Sequence, residues 1–202
     1  MMTTAAPDNH STLRYRTIDL LVVVSMGLIA GVAFFAYAAG LGALKPVFSL
    51  FPPSEGIAAG PWALPAALSM LIVRKPGSAL GTMWIGAIIE ALLGSHFGWT
   101  VLISGAIVAI GFEVMGAATK YAKPSFKWVL AGAWISMVLQ WIWEQFVFFP
   151  SWAMPFRFAH LALFIISGVI LLALPAPAIV RALAKTGALG NFAPGREEAA
   201  QR

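Results

Sequence analysis

Cysteine is missing from all 202 residues, which removes disulfide frameworks, thiolate metal sites and cysteine nucleophiles from consideration. Charge is scarce as well. Only 10% of the chain is Asp, Glu, Lys or Arg, while 60% is hydrophobic and mean hydropathy is +0.85. That balance excludes an ordinary soluble domain and describes a single polytopic membrane unit. There is no G-x-x-x-x-G-K-[ST] loop, so the chain cannot hydrolyse ATP by that route, and no H-E-x-x-H or G-x-S-x-G motif. The three histidines, His10, His96 and His160, are too scattered to read as a metal cluster. The expectation is a protein that is not an enzyme and carries neither cofactor nor metal. The net charge of +5 would point to nucleic acid in a soluble chain. Here the cations lie in short runs between apolar segments, as they do where helices are oriented in a bilayer.

What the chain has in quantity is membrane-length apolar sequence. Crossing a hydrocarbon core of ~30 Å takes about 20 helical residues. The candidate segments are Ile18–Leu41, Gly56–Val73, Ala79–Leu93, Thr100–Thr119, Trp128–Phe149 and Phe158–Arg181. The break Gly94-Ser95-His96-Phe97-Gly98 separates the third from the fourth as two helices joined by a tight turn. The fold class expected is therefore an all-α polytopic membrane protein of six transmembrane helices. Arg14 and Arg16 lead into an apolar run without a small-residue cleavage site, so the first helix is read as an anchor. With a cytoplasmic N-terminus, the inner side receives Arg14, Arg16, Arg74, Lys75, Lys120, Lys123, Lys127, Arg181, Lys185, Arg196 and Arg202. Lys45 and Arg157 alone fall outside. This asymmetry predicts both termini cytoplasmic. The organisation is then a cytoplasmic segment 1–17, a six-helix membrane domain 18–185, and a polar tail 186–202 expected to be disordered, because it cannot bury enough apolar surface to fold alone.

Within this topology Glu55, Glu90 and Glu144 all approach the extracytoplasmic side, with no surplus of Lys or Arg beside them. An ionisable group at membrane depth is costly and is read first as functional, and a missing counter-ion points to a cationic ligand, a proton or a metal. Aromatic residues gather at the same level, among them Tyr37, Trp62, Trp99 and Trp141. An interfacial belt explains such rings in any membrane protein. Gln140, Trp141, Glu144 and Phe148, at i, i+1, i+4 and i+8, instead read as one stripe of amide, indole, carboxylate and phenyl, suited to a flat cation. Glu90 with Ser95, His96 and Trp99 forms a second grouping. Glu113 falls in the inner half of its helix, where an ion pair with Arg74, Lys75 or a neighbouring lysine is the expected role. Gly27-x-x-x-Gly31 and Ala36-x-x-x-Gly40 mark the first helix as a close-packing surface.

Several of these motifs resemble a known family. The run Ile72-Val73-Arg74-Lys75-Pro76-Gly77-Ser78-Ala79, then Glu90-Ala91-Leu92-Leu93-Gly94-Ser95-His96-Phe97-Gly98, then Gly105 through Gly111 and Glu113, is similar to the YkoE family. These are substrate-binding S components of energy-coupling factor (ECF) vitamin transporters. Tyr15-Arg16-Thr17-Ile18-Asp19 and Phe51-Pro52-Pro53 also fit, so the resemblance covers roughly residues 14 to 185. It implies a six-helix S component of the plasma membrane that captures thiamine or its hydroxymethylpyrimidine precursor from outside. It also implies a transmembrane coupling subunit and two cytoplasmic ATPases as partners, with Gly27 and Gly31 contacting the coupling subunit. Where the family often reads Gly-Ser-Gln-Trp-Gly, this chain has His96 and Phe97, a departure that bears on the exact ligand.

Residues and resemblance converge on one expectation. Thiamine joins a cationic thiazolium to an aromatic aminopyrimidine, so its pocket needs a carboxylate without its own counter-ion, aromatic faces, and an amide or imidazole for the ring nitrogens. Glu90 or Glu144 is expected to meet the cation, Trp141 to stack a ring, and Gln140 or His96 to read the pyrimidine, with Trp62, Glu55, Tyr37 and Trp99 completing the candidate set. Two other classes fit the same residues: an ion-coupled carrier working without ATPases, and a membrane scaffold in which the outer carboxylates are incidental.

Overall fold

In the computed structural model, which describes residues 13–122 and 124–201, the chain is helical, with no strand among the described residues. The expected 1–17 segment lies outside the described residues as far as position 12, as do Lys123 and Arg202. Helix α1 spans Thr17–Phe48, a 3-10 stretch follows at Pro52–Ala58, and α2 (Gly60–Val73), α3 (Ser78–Leu92), α4 (Thr100–Ala118) and α5 (Phe126–Val147) run back and forth. Helix α6 (Met154–Ser167) continues through a π-helical stretch, Gly168–Ala173, into α7 (Pro175–Lys185), and a short α8 (Ala193–Ala199) closes the chain. Among the described residues, four stretches are long and apolar enough to cross a membrane: Thr17–Phe48, Pro52–Val73, Thr100–Ala118 and Met154–Lys185. Ser78–Leu92 is apolar but shorter. Helix α5 has the length, but Lys127, Gln140, Glu144 and Gln145 dilute its apolar character.

The outward surface is what a lipid solvent permits. Leu21, Ile29 and Val32 on α1 are 60%, 70% and 57% exposed, an apolar face that water would penalise and hydrocarbon does not. The inward faces are built from small residues. A Cβ on Gly27 would lie 2.6 Å from Ile85 Cβ, and one on Gly31 would lie 2.5 Å from Ile89 Cβ. The helices α1 and α3 therefore touch backbone to side chain along this stripe. The coupling-subunit contact implied for Gly27 and Gly31 is corrected by this packing: α3 of the same chain already covers both. Helices α4 and α5 are locked in the same way. Ser136 Oγ donates to the Val108 carbonyl at 2.6 Å, and a Cβ on Gly111 would collide with Ser136. One turn further along this antiparallel pair, Ser104 and Gln140 come face to face.

The end of the bundle holding both described chain ends is pinned by charge. Asp19, fully buried, accepts from Arg16 and from Lys75 Nζ, and Lys75 also donates to the Arg14 carbonyl. Tyr15 Oη donates to the Pro76 carbonyl at 2.9 Å. Burial first, then the nearby Glu113 and Asp19 carboxylates, push its phenol up to about 12, so it stays a neutral donor. Glu113 makes no ion pair with Arg74 or Lys75. Its carboxylate accepts the N–H groups of Gly77, Ala79 and Leu80 at 2.8, 2.9 and 3.2 Å, capping the positive end of α3 from a neighbouring helix. Arg74 instead forms a two-pronged pair with Glu197 at 2.6 and 3.1 Å. The segment after Lys185, for which the sequence predicts disorder, is folded in the structure. Leu189 and Phe192 are buried in the core, Asn191 O accepts from Arg16, and α8 docks through Glu197. The tail has too little apolar surface to fold alone, but two buried side chains and an ion pair suffice once α2 and α7 provide the surface.

Candidate functional site

At the opposite end the helices part around a cleft of about 600 Å³, its open mouth included. Helices α2, α3, α4 and α5 contribute Trp62, Glu90, Ser104, Gln140 and Glu144 to its wall, and the α3–α4 turn contributes Phe97. Beyond it lies a wider vestibule of about 1100 Å³, again including its mouth, lined by Lys45, Glu55, His96, Phe149 and His160 among others. Trp62, Phe97, Phe148 and Glu144 line both spaces. The rings form a partition: Trp62 to Phe97 is 6.0 Å between centroids and Phe97 to Phe148 is 5.9 Å, both near edge-to-face.

Each wall residue is placed by local chemistry. Trp62 sits just after the 3-10 stretch, which is stitched to α6. The Gly60 amide donates to Ser167 Oγ at 2.8 Å, that hydroxyl donates to the Ile57 carbonyl at 2.6 Å, and Gly60 and Gly56 carry no Cβ to hold α6 away. Phe34 and Tyr37 of α1 back the indole at 5.1 and 5.2 Å. Phe97 is carried by a turn whose Gly94 and Gly98 adopt φ of 87° and 57°, the left-handed region open to glycine. Glu90, 2% exposed, accepts from Ser95 Oγ at 2.7 Å. Glu144 accepts from Gln140 Nε2 at 3.1 Å, and the same nitrogen donates to Ser104 Oγ at 3.1 Å. Among the described residues, none of Glu55, Glu90 and Glu144 takes part in a salt bridge.

The predicted residues divide accordingly. Glu90, Glu144, Gln140 and Trp62 come together in the cleft, and Glu55 and His96 line the vestibule. Tyr37 stands behind Trp62 with its hydroxyl donating to the Ala58 carbonyl at 3.0 Å. Trp99 is 64% exposed and faces away. Trp141 is absent from the lining of either space, and its indole N–H donates to the Arg157 carbonyl at 3.2 Å. One residue is a rotation of about 100° on a helix, so Gln140, Glu144 and Phe148 share the cleft face while Trp141 turns toward α6. Ser104, Thr100 and Phe34 line the cleft without having been anticipated. The spacing of Thr100, Ser104 and Val108 on α4, every fourth residue, was the available signal for the first two.

An all-helical membrane bundle that sinks an acid-bearing, ring-walled cleft into one end has the form of a small-molecule-binding membrane component. The chain belongs to the family described as "ABC-type cobalt transport system, permease component", which it matches over residues 18–139. It is 30% identical over 139 residues to the putative HMP/thiamine permease protein YkoE of Bacillus subtilis (strain 168), covering 68% of this chain and 70% of that protein. A crystal structure of an S-component of an ECF transporter superposes with a TM-score of 0.86 and 25% identity, over 94% of this chain and 95% of the other. The resemblance to S components is thus upheld, and the chain is a multi-pass protein of the cell membrane serving as a substrate-binding transport subunit.

Proposed function

We propose that the chain captures thiamine or its hydroxymethylpyrimidine precursor from outside the cell and delivers it to an ATP-driven energy-coupling module. In this reading it crosses the membrane six times with both termini cytoplasmic, and the cleft opens outward. A transmembrane coupling subunit and two cytoplasmic ATPases supply the energy. The coupling subunit meets the bundle on a face other than the Gly27–Gly31 stripe.

The observation that carries the proposal is electrostatic. Among the described residues, Glu90 and Glu144 face one cleft with only a serine hydroxyl and a glutamine amide as partners. Two carboxylates in a poorly hydrated space without a cation are complementary to a ligand that brings one. Trp62, Phe97 and Phe148 offer ring faces and edges to a flat ligand, and a thiazolium set against them gains cation–π attraction. Titration calorimetry of the purified chain with thiamine, hydroxymethylpyrimidine and Co²⁺ tests the reading. Saturable binding of thiamine or of the pyrimidine supports it.

The family description favours a second reading, in which the cargo is a cobalt ion. No group of three or more His, Asp or Glu side chains able to hold a metal occurs among the described residues. Saturable binding of Co²⁺ with none of the organic ligands would nevertheless establish that reading and remove the first.

A further inference from the structure

Gln140 is 8% exposed, and its hydrogen bonds all leave from one side of the amide. Nε2 donates to Ser104 Oγ and to Glu144 Oε1, both at 3.1 Å, while Gln140 Oε1 is buried with no hydrogen-bond partner among the described residues. The direction of this amide is dictated by its neighbours. With Glu144 ionised, its carboxylate only accepts, so the nitrogen faces Glu144, and the Ser104 oxygen takes the remaining N–H. What is left, on a residue that lines the cleft, is a carbonyl oxygen that no group among the described residues satisfies. Leaving a buried acceptor unpaired is costly, and a ligand that arrives with a donor removes that cost. A ligand that presents an acceptor at the same place leaves both oxygens unpaired in a low-dielectric space.

The support beneath the amide is rigid. The α4–α5 lock at Ser136, Val108 and Gly111 lies one turn away and fixes the separation of Ser104 from Gln140. Glu144 is thus committed in two ways, as the group that turns the amide and as a counter-charge in the same cleft.

We infer that Gln140 is a specificity-determining residue: its carbonyl oxygen accepts a hydrogen bond from an exocyclic amino group on the ligand's heteroaromatic ring, so that the chain selects amino-substituted pyrimidines over their oxo counterparts. This rests on the aminopyrimidine reading above and adds to it the edge of the ring that is read and the polarity demanded there.

The test is competitive titration of the full chain with thiamine and with its 4-oxo analogue, for the unmodified protein, Gln140→Leu and Gln140→Met. The unmodified chain is expected to prefer the amino ligand by roughly 10- to 100-fold, the range of one buried hydrogen bond lost. Both variants keep the approximate shape and remove the acceptor. Each is expected to bring the preference down to within about threefold, mainly by weakening the amino ligand. A purely structural role would weaken both ligands together and leave their ratio intact, so an unchanged ratio in both variants overturns the inference. Equal binding of the two ligands to the unmodified chain overturns it as well, with the vitamin reading still standing. Binding of neither ligand by folded protein removes the vitamin reading itself, and this inference with it.

Discussion

The two ends of this bundle handle carboxylates in opposite ways. At the end holding both described chain ends, Asp19 has Arg16 and Lys75, Glu197 has Arg74, and Glu113 has three backbone N–H groups at the head of α3. At the other end Glu90 has a hydroxyl and Glu144 an amide. Both ends contain costly groups, but only one satisfies them from within the chain. The first arrangement is what a fold does when it needs stability; the second leaves a charge deficit that a ligand must supply. A carboxylate's role here is set by its nearest donors, since Glu113 and Glu144 are the same residue type on neighbouring helices.

Substitutions break this comparison along its own lines. Asp19→Ala strands Lys75, 7% exposed, without its counter-charge and is expected to cost about 3–5 kcal/mol of stability. A thermal unfolding series in detergent reads that loss, while ligand affinity of the fraction still folded should not change. The reverse pattern is expected for the double variant Glu90→Gln, Glu144→Gln. Thiamine affinity should drop about 100-fold or more, close to 3 kcal/mol, with no loss of thermal stability, because neither carboxylate has a cation to abandon. Glu113→Gln comes next: replacing a charged acceptor by an amide at the start of α3 should cost about 1–2 kcal/mol of stability and leave binding intact. Smallest is Glu197→Gln, on the partly exposed tail pair, at about 1 kcal/mol or less and shrinking as salt is raised. Its readout is the salt dependence of the unfolding midpoint.

Much of the fold was legible because it is written locally. Apolar length and Gly-rich breaks placed helices over the expected segments, but some with longer ends: α1 runs on to Phe48 instead of Leu41, and the last one runs Met154–Lys185 instead of Phe158–Arg181. What depends on distant partners was not legible. Glu113 could not be known to cap α3, nor Glu197 to hold Arg74, because the residues lie 33 to 36 and 123 positions apart. The tail went unread for the same reason, since Leu189 and Phe192 count as core only once α2 and α7 stand beside them. In the cleft, residue type and depth located Glu90, Glu144, Gln140 and Trp62. Rotation about the helix axis then removed Trp141, and the α4–α5 register brought Ser104 to Gln140.

The most direct test of the claim that the outer carboxylates await a cation is a pair of affinities for the unmodified chain: thiamine, and the neutral isostere in which carbon replaces the thiazolium nitrogen. The two ligands share shape, rings and amino group and differ in charge. The account predicts that thiamine binds at least about tenfold more tightly, and that the preference vanishes in the Glu90→Gln, Glu144→Gln variant. Equal affinities in the unmodified chain would contradict it, because the unpaired carboxylates would then be doing nothing for the ligand.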